Sequence, residues 1–258
     1  MTPGHPAGSY LQDIPRGASP RTSTQEPVMT ITTSKLIRAA GLCAVVAGAL
    51  FIAVQVKHPP IDVAFVSTTE WKVRQGMKVV MAVLSLAGIT GMYLRQVKQT
   101  RVLGLLGYVL FAIGYLLMLA IEIVGLVVLP SIADTSPGYV ADVVAAATNG
   151  KAAGDIGLMG PLSAVNAVTY LLGGFLFGVA LFRANVLARW AAALLSAGTV
   201  ATIAIPLVPQ LNFRLFALPI GVAMVGLGYS LWREGRAGTA GPVAPTNAGA
   251  RHDLAGAK

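Results

Sequence analysis

Cysteine is almost missing from this chain: among 258 residues only Cys43 is one. A lone thiol cannot close an intramolecular disulfide or build a cysteine-rich metal cluster. Its place inside an apolar run suits a small buried hydrophobe. Histidine is nearly as scarce, with three in all and only His58 outside the terminal tails. The paired membrane histidines that would hold a haem are therefore absent. So are the HExxH metal motif, the phosphate-cradling P-loop and the Rossmann fingerprint. No nucleophile elbow marks a hydrolase, and His58, Asp62 and Glu70 read as three ordinary loop residues. The expectation is a protein without enzymatic activity, metal or cofactor.

Charge is sparse and one-sided. Charged residues make up 11% of the chain, 19 Lys and Arg against 10 Asp and Glu, for a net charge of +9. Nucleic-acid binding does not follow from that surplus. The basic residues stand at the ends of apolar runs instead of sharing one face, with neither zinc-finger spacing nor an RNA-binding aromatic stripe. Setting topology and meeting anionic headgroups suits them better.

What the chain has in quantity is apolar length. Hydrophobic residues reach 55% and mean hydropathy is +0.71. Six runs stand out: Leu36–Val56, Met77–Leu94, Val102–Leu129, Pro161–Phe182, Val186–Val208 and Leu215–Trp232. About 20 helical residues match the roughly 30 Å hydrocarbon layer, so residues 35–236 are expected to form an all-α integral membrane protein, a bundle of six transmembrane helices. Residues 1–34 and 237–258 read as disordered and flexible cytoplasmic tails. Leu36–Val56 follows too long a tail, and lacks the cleavage site, for a removable signal peptide, so it reads as a retained anchor. Met29 heads a compact alternative start.

Basic residues orient the bundle. With the N-terminus inside, the cytoplasmic side receives Lys35, Arg38, Arg95, Lys98, Arg101, Arg183, Arg189, Arg233 and Arg236. Lys57, Lys72, Arg74, Lys78, Lys151 and Arg214 fall on the other side, with the first outer loop the main exception. That distribution favours both termini on the cytoplasmic side of the membrane. Trp71, Trp190 and Trp232 mark the boundaries. In the outer loops, Ser67 and Glu70 have capping-box spacing for a short interfacial helix. Tyr139, Val140, Val143, Val144 and Ala147 would form the apolar side of a helix lying on the membrane.

Small residues recur at contact spacing: Ala40, Ala44 and Gly48 in the first run, Gly174 and Gly178 in the fourth, Ala217 and Gly221 in the sixth. Helix packing within the chain is the expected use, with a homo-oligomer or another membrane protein as the second. Pro206 is expected to bend the fifth run.

One carboxylate interrupts the apolar chemistry. Glu122 lies about eight residues, or roughly 12 Å, inside the third run from Pro130, a depth at which it must be protonated, paired or turned to water. Tyr115, Asn166 and Tyr170 are candidate partners around an ion or ligand, with Thr169 and Tyr108 beside them. Tyr108, Tyr115 and Glu122 are seven apart and share a helical side. A structural or regulatory membrane protein is the main expectation, and a small-solute or ion transporter, proton-coupled or not, is the alternative.

The Gly/Ala-rich layout, with Trp71 entering the second run and Gly88-Ile-Thr-Gly91-Met-Tyr93 near its end, resembles multi-pass membrane proteins of high-GC actinobacteria. Leu36–Trp232 also looks like the DUF4386-type family, including Arg189-Trp190 at the entry to the fifth run. The resemblance implies a small helical protein of a bacterial plasma membrane and assigns no activity or residue roles.

Overall fold

The computed structural model of the chain describes Met1 and residues 32–56, 62–147, 150–202 and 217–237. Residues 2–31, the tail from 238, Lys57, His58, Pro206, Arg214 and the last part of the fifth run lie outside the described residues.

Short polar side chains start the first helices. Thr32 accepts from Lys35 N at 3.4 Å and opens α1 (Thr33–Ala53). The Asp62 carboxylate accepts from Phe65 N at 2.7 Å and opens the single turn α2 (Val63–Val66). Thr68 Oγ1 accepts from Trp71 N at 3.1 Å and opens α3 (Thr69–Arg95). Each satisfies a backbone N–H that a helix start leaves without a partner. The capping role expected of Ser67 thus belongs to Thr68, and Ser67 instead closes α2. The helix that starts at Thr69 is not separate from the second span, because α3 runs unbroken for 27 residues.

Next, α4 (Val97–Ile123) passes through a π-helical turn (Val124–Val128) into α5 (Leu129–Ile132). Arg101, at φ 51° and ψ −145°, separates the first turn of α4 from the rest. That backbone region is one only glycine enters without cost, of order 1–3 kcal/mol for other residues. Then come α6 (Pro137–Ala147), α7 (Met159–Ala184), α8 (Arg189–Ala201) and α9 (Ala217–Ala237). Asn185 ends α7 in the left-handed region at φ 53°, a conformation asparagine tolerates better than most residues.

Six of these helices pack as a closed ring in the order α1, α3, α4, α7, α8, α9 and back to α1. Neighbours are antiparallel, as their cross-contacts show. Ala44 faces Gly88 and Ala40 faces Gly91 between α1 and α3, while Gly41 faces Gly228 and Gly48 faces Gly221 between α1 and α9. Between α4 and α7, Gly107 meets Phe177, Gly114 meets Tyr170 and Phe111 meets Gly173.

The architecture is an all-α bundle. Against an expectation of six spans, four helices among the described residues are long and apolar enough to cross a membrane: α1, α3, the 36-residue Val97–Ile132 and α7. The described part of α8 has 13 residues, and α9 ends in Arg233, Glu234 and Arg236. Leu42, Val46, Val83, Leu105, Val109, Leu116, Val168 and Leu172 all stand exposed on the long helices. Apolar surface of that extent belongs against lipid tails, not water. The chain is a multi-pass membrane protein.

The small residues sit as follows. Ala40 faces α3, Ala44 lies between Gly88 of α3 and Gly228 of α9, and Gly48 faces α9, where a Cβ would come within 2.5 Å of the Gly221 carbonyl. Gly174 lies under Thr199 and Phe111, and Gly178 under Ala192 and Ser196 of α8. Gly221 meets Ile52 and Gly48, and Ala217 is half-buried at the start of α9. Thr199 and Thr202 bond to carbonyls of their own helix, as hydroxyls in apolar helices commonly do.

Candidate functional site

At the end of the bundle opposite the basic helix termini, proline chemistry shapes a polar recess. Pro130 has no N–H to give a carbonyl in the preceding turn, and the Leu129 N–H bonds back five residues to Val124 O. The Gly125 carbonyl accordingly takes its hydrogen bond from another helix, the Trp71 indole Nε1–H at 2.8 Å. Irregular backbone at membrane depth thus has its partner. Trp71→Phe should cost about 1–2 kcal/mol in an unfolding measurement, because the buried carbonyl is left unmet. In a Pro130→Ala background, where a backbone N–H is restored, the same change should cost measurably less.

Trp71, Gln75 and Lys78 recur at i, i+4 and i+7 on one face of α3, turned toward α4 and the π turn. Gln75 Nε2–H donates to Glu122 Oε2 at 2.7 Å, and Lys78 Nζ lies 3.4 Å from the same oxygen. The missing side chain of Gly125 makes room for Gln75, whose amide would collide with a Cβ there. Gln75 is buried, and the Lys78 and Glu122 side chains are 23% and 16% exposed. That is too enclosed for a solvent-screened surface pair.

These groups wall a cavity of about 500 Å3 between α3, the α4–π segment, α6 and the start of α7. Asn166 also lines it, with its Oδ1 buried and without a hydrogen-bond partner. Ser163 adds a hydroxyl, while Met118, Val143, Val144 and Met159 supply apolar wall. Size and lining fall within the usual range for small-molecule sites.

A cap covers the outer end. Phe65, Val66, Trp71, Leu129, Val140, Val143, Val144 and Ile156 form one apolar cluster, with Phe65 edge-on to Trp71 at 5.7 Å. The valines of α6 therefore turn inward instead of lying on the membrane. The physical reason is that Phe65 and Val66 of α2, Trp71 of α3 and Leu129 of α5 offer those valines an apolar protein surface to pack against. Asp142 on the outer face of α6 accepts from Ala153 N and Gly154 N at 2.8 and 3.0 Å and fastens the loop that returns to α7.

Tyr115 and Tyr170 lie deeper. Both are buried, with their rings edge-to-face at 5.4 Å. Their hydroxyls and that of Ser85 lie near one another, yet none completes a well-aligned hydrogen bond. Further toward the basic end, Tyr108 and Thr90 share a hydrogen bond of 3.0 Å and Tyr108 stacks on Tyr93 at 4.7 Å. Glu122, Tyr115 and Tyr108 thus make three polar levels about 10 Å apart along α4. Phe111 and Met118 intervene, so the hydroxyls do not join into one continuous path.

Glu122 and Asn166 line the same cavity, whereas Tyr115 and Tyr170 belong to the level below. Thr169 bonds to Val165 O in its own helix. The partners that hold Glu122, Gln75 and Lys78, were not among those the sequence suggested. A signal existed: Trp71, Gln75 and Lys78 share a face entering an apolar span, where polar residues need a reason.

Among the described residues no cluster of His, Cys, Asp and Glu fit to hold a metal ion occurs. No family model, curated protein or solved structure matches the chain.

Proposed function

We propose that the protein is a six-span carrier that binds a small solute of zero net charge in the Glu122 cavity and passes it across the membrane. The observation that carries this reading is the Gln75–Glu122–Lys78 group on the wall of a ligand-sized cavity at membrane depth. A carboxylate and an ammonium side by side sum to zero. A solute bringing net charge would leave that charge uncompensated in a poorly solvated site, at high cost. A zwitterion or a polar neutral molecule avoids it, with its donor on Asn166 Oδ1 and its apolar part against Met118 and Met159.

The orientation follows the positive-inside rule. Nine basic residues, Lys35, Arg38, Arg95, Lys98, Arg101, Arg183, Arg189, Arg233 and Arg236, gather at one end of the ring, which we assign to the cytoplasm. Pairing accounts for two of the opposing cations. Arg74 bonds to Glu70 at 2.8 Å and to the carbonyls of Val54 and Val56 at the end of α1. Lys78 is offset by Glu122. Accessibility tags in Arg95–Arg101 and in Pro137–Ala147 should then label from opposite sides, the second from outside. Labelling from one side would overturn the assignment.

Counterflow in proteoliposomes tests the carrier reading. Small zwitterions and polar neutral solutes should exchange, and small cations and anions should not. A structural role is the second reading, favoured by the fact that Glu122 already has partners on α3. It predicts no exchange of any solute.

A further inference from the structure

At the opposite end of the ring, the turn between α7 and α8 and the last turns of α9 enclose a groove of about 700 Å3. Its chemistry differs from that of the Glu122 cavity. Arg189, Arg233, Trp190, Tyr229 and Ser230 line it. Trp190 and Tyr229 are 59% and 53% exposed, which is where amphipathic rings sit when a groove opens at a membrane–water boundary.

The groove is held in shape by local packing. The Trp190 ring lies across Gly226 of α9, so closely that a Cβ there would reach within 2.5 Å of it. Ser230 Oγ accepts from Ala188 N at 3.1 Å and fixes the approach to α8. Arg189 stacks over the Phe182 ring at 4.3 Å, and Arg233 stands 6.0 Å from the Tyr229 ring centre. Both guanidinium groups are thereby oriented by aromatic faces and keep donors for a ligand. The acidic residue of the groove, Glu234, is tied to Arg95 of α3 at 2.7 Å. The local charge surplus is therefore positive.

We infer that this groove binds the headgroup of an anionic phospholipid from the leaflet at the basic end of the bundle. Two arginines match a phosphodiester, because guanidinium donors meet phosphate oxygens in pairs. The exposed indole and phenol sit at the headgroup level. Val222, 41% exposed one heptad from Tyr229, continues an apolar track along α9 for an acyl chain. A free phosphate would use the charge but not that track, so a lipid is the occupant.

The test uses the full chain in mild detergent with synthetic phosphatidylglycerol or phosphatidylcholine of the same acyl composition, read by native mass spectrometry. Wild-type protein should retain phosphatidylglycerol at least tenfold over phosphatidylcholine. A basic side chain near an anionic lipid contributes about a fivefold preference. Arg233→Gln alone should therefore lose about fivefold, and Arg189→Gln with Arg233→Gln about 25-fold. Arg183→Gln, on the same end but outside the groove, should change nothing. Brominated phosphatidylglycerol should quench tryptophan emission in the wild type and quench it far less in Trp190→Phe. That measurement stands even where the double variant fails to fold. Equal retention of the two lipids would overturn the site. So would unchanged retention by Arg233→Gln, Arg183→Gln losing as much as Arg233→Gln, quenching that ignores Trp190, or removal of the lipid by millimolar inorganic phosphate.

Discussion

Removing Glu122 or Lys78 singly should harm the protein more than removing both. Glu122→Gln leaves the Lys78 ammonium without a counter-charge on a low-polarity wall, and Lys78→Met leaves the carboxylate with one donor. An unpaired charge in such a site costs about 2–3 kcal/mol, below the 3–5 of full burial because both groups keep some exposure. Glu122→Gln combined with Lys78→Met removes both charges and leaves Gln75 an amide oxygen to bond. It should lie within about 1 kcal/mol of wild type. Unfolding in detergent closes the cycle, and a coupling energy near zero would show that the two side chains do not pair. The same double variant separates the two functional readings. Under the carrier reading it is stable and exchanges no solute. Under a structural reading it keeps whatever the wild type does, because only the pairing mattered.

Much of the bundle was legible because hydropathy and helix length are local properties. The runs around α1, α3, α4 and α7 follow from apolar length alone, and successive crossings of one membrane make neighbouring spans antiparallel. Register was not legible. Ala40, Ala44 and Gly48 share a four-residue spacing that suggests a single contact stripe, yet the ring turns Ala40 to α3, Ala44 to both α3 and α9, and Gly48 to α9. A helix in a closed ring has neighbours on two sides, so one small-residue pattern serves both, and spacing cannot divide it. The α6 valines illustrate the same point. Their amphipathic pattern says that one face is apolar, but whether lipid or protein covers it depends on Phe65, Val66, Trp71 and Leu129 in other segments.

The site was half legible for a related reason. A carboxylate deep in an apolar run is conspicuous, so Glu122 stood out, and Asn166 lies on the same cavity. Its true partners come from α3, where Gln75 stands just before the expected span Met77–Leu94 and Lys78 in its first turn, so both look like boundary polarity. They become membrane-depth residues only because α3 starts at Thr69, eight residues before its expected span. Tyr115 shares the stripe but not the cavity, since one heptad of rise, about 10 Å, separates it from Glu122, and Tyr170 of α7 packs against it at that level.

Glycine to alanine should have opposite effects at two positions of this bundle, and the contrast measures how much of its stability is backbone proximity. At Gly76, within α3, an added Cβ meets nothing within 4 Å. Alanine there gains helix propensity and lowers the entropy of the unfolded chain, for a stabilisation of about 0.5–1 kcal/mol. At Gly48 the same methyl would lie 2.5 Å from the Gly221 carbonyl oxygen and 2.9 Å from the Val225 backbone nitrogen. Backbone atoms cannot rotate aside, so α1 and α9 must separate, and the propensity gain is overrun by an overpacking cost of about 1–3 kcal/mol. Gly41, one heptad away, meets the Gly228 carbonyl at 2.7 Å, so Gly41→Ala with Gly48→Ala widens the same seam at both ends. That seam closes the ring. Lipid tails offer no hydrophobic contrast to hold it once close packing is lost. The double variant should therefore unfold at markedly lower temperature in detergent, while Gly76→Ala unfolds slightly higher than wild type. Equal melting temperatures for all three proteins would mean that α1 and α9 do not meet through their glycines, and the ring would have to be drawn open.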